Sequence, residues 1–350
     1  MKGNKFKPYD NLENWFLNHP DDGSATDIEE LRSRFKTIKV ELLKIAREAE
    51  KGALLEEFKE KKEYVYLNDH GHDHIEEVLK NVTRLLNTGH INITLNQAYI
   101  LLFSTYLHDC GNIHGRSNHE KKIKKIMVYL GIKAGHDNLE KRYVLGVASA
   151  HGGTVEGADD DKDTIAKLDN SSDYDLRLLA SILRLADELS DRRGRESTYM
   201  MEMGEITHES EIYHQYSYSL FNVKFDEHTI TLSYELSMDQ IQKQFGKRKG
   251  ECYLIDEIKE RTFKVFREAL YCCRFLSPSV DINKVLVDIK IFRDFKPDSL
   301  DIQPVKVINY YLKESGYPLE HENLENLFPE LKKITGEEIK KELSQVEIHG

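Results

Sequence analysis

The sequence predicts a mainly α-helical protein with a smaller α+β region toward the C-terminus. Three observations carry this. Between residues 27 and 190, apolar residues recur at three- and four-residue spacing, the period of a helix with one buried face. Gly111, Gly131, Gly152-Gly153 and Gly194 punctuate these segments where helices would end. After Arg195 the apolar period shortens to two, as in strands.

Taken in order, residues 1–25 read as irregular, with a short helix from Leu12 to Leu17. From Asp27 to about Lys62 the chain is helical and heavily charged, with Ile28, Leu31, Phe35, Ile38, Leu42 and Ile45 as one apolar stripe. Helices are then expected at His74 to Leu86, Leu95 to Leu107, His119 to Leu130, Leu139 to Ala150 and Asp175 to Ser190. The acidic run Gly153 to Thr164 reads as a loop. EIYHQYSYSLFNVKF (Glu211 to Phe225) and TITLSYEL (Thr229 to Leu236) alternate apolar with polar residues around Asp226-Glu227-His228, predicting a β-hairpin. A helix from Tyr253 to Phe275 and a strand from Asn283 to Phe292 complete a small sheet with a covering helix. From about Leu300 the pattern reads as helical again. These breaks suggest an N-terminal helical extension over 1–60, a helical domain over 61–200, an α+β subdomain over 201–295 and a C-terminal helical segment over 296–350.

Composition narrows the function. With 39% hydrophobic and 32% charged residues the chain has enough apolar material for a sizeable core. No stretch approaches the roughly 18 consecutive apolar residues of a membrane span, and MKGNKFKPYDNLENW lacks a signal-type apolar run. The four cysteines (Cys110, Cys252, Cys272, Cys273) form no C-x-x-C pair, so a reducing cytoplasm is the expected setting. A net charge of −11 argues against stable duplex-DNA binding.

The chemistry concentrates in one ordered set. The apolar run ILLFSTYL ends in His108-Asp109. Upstream, His74 begins an amphipathic segment, and downstream Asp187 lies in LLASILRLADEL, with Leu183 four and Ala180 seven residues before it. A carboxylate on a buried helix face is costly unless paired or bound to a cation. A His-Asp dipeptide alone recurs by chance, and Asp187 alone could pair with Arg184 three residues before it. The four residues together, at helix ends and on apolar faces, point to a shared divalent cation. Imidazole nitrogen mixed with carboxylate oxygen suits Mn, Fe, Co, Ni or Zn better than Ca or Mg alone. His70 and His72 compete with His74 as the first ligand.

This H…HD…D order resembles the HD phosphohydrolase superfamily over about residues 60–200. Its nearest likeness is the HD-CE branch of prokaryotic conflict systems, whose DHG-x-x-H, LHD-x-G, R-x-x-H, AHGG and RLAD-x-L strings are matched at Asp69, Leu107, Arg116, Ala150 and Arg184. The resemblance implies an all-helical metal-binding core and one or two divalent ions, Mn, Fe, Co, Ni, Zn or Mg. His74, His108, Asp109 and Asp187 would be ligands. His119 and His151 fall where two-metal relatives hold a second ion or touch the scissile phosphate. The activity implied is hydrolysis of a phosphoester or phosphoanhydride. Asp109, His119 and His114 are the candidate catalytic groups, although the bland reading of His114 is a solvated loop residue and of His119 a surface histidine.

Phosphate calls for positive charge. Arg192, Arg193 and Arg195 follow the Asp187 segment and Arg116 follows Asp109; with His70, these are the candidate substrate contacts. They could equally pair with Glu188, Asp191 or Glu196 on the surface. The cluster FGKRKGE (Phe245 to Glu251) reads as a basic loop rather than a regulatory nucleotide site. The favoured substrate is a deoxynucleoside triphosphate, with antiviral depletion of the nucleotide pool as the implied setting. Gly71 stands where triphosphohydrolases carry an arginine before the first histidine, so their triphosphate contacts do not transfer as a set. The alternatives are a phosphodiesterase of cyclic or oligonucleotide messengers, and a nucleotide-sensing regulator. Relatives imply a homo-oligomer.

Overall fold

A computed structural model describes residues 7–24, 27–52, 71–114, 118–134, 138–152, 164–169, 174–191, 193, 201–247, 250–293, 303–314, 317 and 324–349. Its described residues fall into two compact units. The first takes them from Met1–Glu63, Asp69–Ser190 and Cys272–Asp281. The second takes them from Asp191–Tyr271 and Ile282–Gly350.

The first unit is helical: α1 (Leu12–Asn18), α2 (Ile28–Gly52), α3 (His72–Thr88), α4 (Leu95–Leu107), a 3-10 turn (Cys110–His114), α5 (His119–Ala134), α6 (Asn138–Ser149) and α7 (Leu176–Glu188). In α2 the predicted stripe is buried at Ile28, Phe35, Ile38, Leu42 and Ile45. Helix α4 is apolar on nearly every side and correspondingly buried from Ala98 to Leu107. Removing each such Leu or Ile from water contributes ~1.5–3 kcal/mol. Thr94 starts α4 with a capping box, its hydroxyl accepting from Gln97 N while the Gln97 side chain accepts from Thr94 N. Asp175 starts α7 from a left-handed backbone (φ 41°), its carboxylate accepting from Leu178 N. Asn81 on α3 donates to the carbonyls of Ala186 (3.3 Å) and Leu189 (2.9 Å), tying α3 to the end of α7. Arg34 on α2 and Tyr99 on α4 both donate to Glu140 on α6.

The second unit is built on a mixed sheet of β1 (Leu220–Phe225), β2 (Thr229–Ser237), β5 (Lys284–Phe292) and β6 (Lys306–Lys313), in the order β1-β2-β5-β6. β1/β2 and β5/β6 are antiparallel and β2/β5 parallel. Parallel neighbours require a crossover, supplied by the hairpin β3 (Gln244–Lys247) and β4 (Gly250–Tyr253) and a long helix, Leu254–Leu276. Ile230, Leu232, Tyr234 and Leu236 alternate into the core from β2, and Val285, Val287, Ile289 and Ile291 from β5.

Three sequence expectations are corrected here. Glu211–Ser219, expected as strand, is α-helix; Ile212, Tyr216 and Ser219 recur at a helical interval and are buried, so the apparent alternation was that of a Tyr/Ser-rich helix. Lys306–Lys313, expected within a helical tail, is β6, with Ile308, Tyr310 and Leu312 buried at period two against β5. The FGKRKGE segment, expected as a loop, forms β3 and β4, and Lys247 is bound to Glu257 (2.8 Å) and Glu260 (2.6 Å). The helix expected at the C-terminus is present as Gly336–His349.

Candidate metal centre

All six predicted metal ligands lie in the first unit and form two groups, His74, His108 and Asp187 in one and Asp109, His119 and His151 in the other. Their positions follow from how the helices end. His74 sits in the first turn of α3, where the chain enters the core. His108 and Asp109 follow the last residue of α4 and lead into the 3-10 turn. His119 opens α5, His151 follows α6, and Asp187 lies in the last turn of α7. Helix ends let side chains converge because the chain turns there; a helix middle could offer only one face.

In the first group His74 Nε2 lies 3.2 Å from Asp187 Oδ1 and 3.4 Å from His108 Nε2. Asp109 joins it, its Oδ2 lying 3.4 Å from His74 Nε2 and 3.6 Å from His108 Nε2. The other oxygen, Asp109 Oδ1, lies 3.0 Å from His119 Nε2 and 3.8 Å from His151 Nε2. His119 and His151 bring their Nε2 atoms within 3.1 Å of each other. Asp109 thus bridges the two groups with one oxygen each.

The far ring nitrogens are held by the scaffold. His108 Nδ1 meets the Thr105 carbonyl at 2.7 Å, His151 Nδ1 the Ala148 carbonyl at 2.5 Å, and His74 Nδ1 the Ser190 hydroxyl at 3.3 Å. A carbonyl can only accept, so His108 and His151 carry a proton on Nδ1 and turn Nε2 inward, the arrangement that orients imidazole ligands. Arg184 is buried on α7 and donates to the carbonyl of Ala150 (3.2 Å) and to Thr164 Oγ1 (3.0 Å). It anchors the turn carrying His151.

Electrostatics fit a cation. For His108, burial opposes the charged form, but Asp109, with Asp187, outweighs it and raises the pKa to about 9. For Asp187, burial favours protonation, yet contacts from His108 and His74 hold its carboxyl well below the usual range. His151 is pushed down to about 3 by burial first and then by His108 and His119. His108 carries a proton between two carboxylates while His151 stays neutral. A divalent ion supplies the same positive charge and takes the inward nitrogens as ligands. Clustered Nε2 atoms facing shared carboxylate oxygens make a donor set that fits such an ion.

Other predicted site residues fall elsewhere. His72, the competitor of His74, is half-buried beside Asp73 and Glu76, whereas His74 is 2% exposed. His114 ends the 3-10 turn with its carbonyl accepting from Lys122 and belongs to neither ligand group. Arg193, in the second unit, donates to the Tyr218 carbonyl (2.7 Å) and to Glu235 (3.2 Å). His70, Arg116, Arg192 and Arg195 lie outside the described residues. Ser190 and the Thr105 and Ala148 carbonyls escape sequence reasoning, because orienting a ring through the backbone leaves no motif; Arg184, which the sequence offers as a partner for Asp187, holds Ala150 and Thr164.

A helical unit with a His/His-Asp/Asp cluster at its helix ends defines an HD-type metalloenzyme domain. The HD-CE family model matches residues 62–264, more than half of the chain, and the chain belongs to that family. The match runs past the helical core into the long helix Leu254–Leu276. No curated protein matches the chain. Among the described residues, no helix is long and apolar enough to cross a membrane.

Proposed function

We propose that the protein is a metal-dependent phosphohydrolase acting on nucleotides, with a deoxynucleoside triphosphate as the favoured substrate. One observation carries this reading: Asp109 offers one carboxylate oxygen to each of two histidine-rich groups, the pattern of two ions clamping a phosphoryl transfer. His74, His108, Asp109 and Asp187 would hold one ion; Asp109, His119 and His151 would hold the other. Bound there, divalent ions supply an acidified water, its pKa lowered from ~15.7 toward ~7, and polarise a phosphoryl oxygen. The chain's own residues do the rest. Thr105, Ala148 and Ser190 fix the rings, and Asp109 sets the spacing of the two groups. Asp187 and His119 are the most exposed of the six ligand side chains, 26% and 21%, so each group opens to solvent through one of its own ligands. With His119 Nε2 turned to Asp109, the remaining sequence candidate for proton delivery to the leaving oxygen is His114.

The second group of ligands also favours the runner-up, a phosphodiesterase of cyclic or oligonucleotide messengers, since a pair of ions suits in-line displacement at phosphorus in either reaction. A nucleotide-sensing regulator is the reading from outside enzymology. Incubating the Mn²⁺-loaded chain with dNTPs, NTPs and cyclic dinucleotides, and weighing the products, separates these. Tripolyphosphate plus nucleoside supports the favoured reading. A linear dinucleotide or monophosphate supports the second, and intact nucleotides throughout support the sensor. A cytoplasmic setting, a homo-oligomeric state and a role in antiviral defence belong to the same proposal.

A further inference from the structure

We propose that a basic cavity beside the second ligand group holds the phosphate chain of a nucleotide through lysines and one arginine of α5, α6 and the turn around residue 167. The ligand's identity rests on the hydrolase reading; the cavity's affinity for a phosphate chain does not. Its volume is about 640 Å³, within the ~300–1,000 Å³ of small-molecule sites. Glu120, Ala150 and Gly152 line it, and these are chain neighbours of His119 and His151. The cavity therefore adjoins the His119 and His151 side of the centre.

Its other charged lining residues are Lys121, Lys124, Lys141, Arg142 and Lys167. Five cations and one carboxylate surround this cavity in a chain whose net charge is −11. Like charges around one concavity repel each other and focus a field that draws an anion. Among the described residues, Arg142 alone of the five has an ion-pair partner, Asp169 at 3.1 Å. Both members of that pair are exposed, so a phosphate can displace Asp169 readily.

A second observation narrows the ligand. Glu120 is 5% exposed; its Oε2 lies 3.7 Å from His119 Nδ1, and its Oε1 is buried without a hydrogen-bond partner, so a ligand group meets it by turning the side chain into the cavity. A buried acceptor left in this state calls for a donor. A bare phosphate chain at neutral pH has little to donate, whereas the hydroxyl or amino group of a nucleoside does. Phosphates for the lysines and a donor for Glu120 together describe a nucleotide.

Calorimetric titration of the full, EDTA-stripped chain tests this without turnover. Inorganic tripolyphosphate should bind at least about tenfold more tightly than orthophosphate, and Lys124→Glu or Lys167→Glu should each weaken it about tenfold, as for lost charge complementarity. Lys44→Glu, on α2 outside the cavity, should change it less than about twofold and so controls for net charge. Deoxyadenosine triphosphate should bind more tightly than tripolyphosphate, and Glu120→Ala should erase that advantage. Lys124→Gln repeats the test should the reversal fail to fold. Absent tripolyphosphate binding, or wild-type binding in the lysine variants, overturns the cavity. Equal affinity for tripolyphosphate and nucleotide overturns the nucleotide assignment. If the lysine effects hold but the Mn²⁺-loaded chain leaves every nucleotide intact, the cavity stands and the hydrolase reading falls. If nucleotides are cleaved with unchanged KM in the lysine variants, the cavity falls and that reading stands.

Discussion

At the scale of single residues, Asp109 does two jobs with two oxygens. Asp109→Ala should therefore empty both groups and abolish hydrolysis, whereas Asp187→Asn should empty only the first, because an amide is a poor ligand. His119→Ala should remove one ion and lower turnover with it, leaving His74, His108 and Asp187 occupied; a loss of roughly a hundredfold at unchanged metal content would instead mark His119 as a general acid or base, and metal analysis beside rates separates the two. The protonation of His108 gives a pH test. Its pKa is raised from 6.5 to about 9 by the carboxylates beside it. A raised pKa means that the proton stabilises the metal-free fold fully below about pH 6.5, and that this stability is lost as pH rises through about 9. A metal ion must displace that proton, so apparent metal affinity should climb across the same window by up to about tenfold per pH unit. Melting curves of stripped and Mn²⁺-loaded chain at pH 6.5, 7.5 and 8.5 should diverge steadily; a pH-independent gap would remove His108 from the ligands.

At the scale of elements, the site depends on how closely the 3-10 turn approaches α5. A Cβ on Gly111 would lie 2.0 Å from the His119 carbonyl oxygen, which explains the glycine two residues after Asp109. Gly111→Ala should cost about 1–3 kcal/mol of stability and displace His119, so activity should fall further than that of a variant destabilised equally elsewhere. Arg184→Met keeps the buried stem but loses the bonds to Ala150 and Thr164. It should cost about 2 kcal/mol and loosen His151, lowering occupancy of the second group but not the first. Much of this was legible in the sequence. His74, His108, Asp109 and Asp187 stood out because costly polar groups sat on apolar helix faces, and His119 and His151 because of the family resemblance. Asp109's bridging role was not legible, since it depends on which oxygen faces which ring. Nor was the lysine-lined cavity, whose residues come from separate elements and resemble any solvated face until they are folded together. Glu211–Ser219 and Lys306–Lys313 misled because short Tyr-rich segments satisfy both helical and strand periods; partners in the sheet decide, and partners are not local.

At the scale of the whole molecule, metal binding and folding are linked through the first unit, whose helix ends meet at the centre. An ion at a hundred times its dissociation constant should add ~2.7 kcal/mol to stability if it binds only the folded chain, and EDTA should reverse the gain. Among the described residues the second unit contributes none to either ligand group, and its buried tyrosines on the sheet, Tyr234 and Tyr310, belong to its own core. Substitutions there, such as Tyr234→Ala, should destabilise by about 3–5 kcal/mol while leaving metal stoichiometry in the folded fraction unchanged. The central claim is a pair of ion sites bridged by Asp109. The most direct test is metal content per chain after stripping and reconstitution with Mn²⁺, for wild type, Asp187→Asn, His119→Ala and Asp109→Ala. The account predicts two ions in the wild type, one in each of the first two variants and none in Asp109→Ala. A wild type that holds no ion, or an Asp109→Ala chain that holds as many as the wild type, would contradict it.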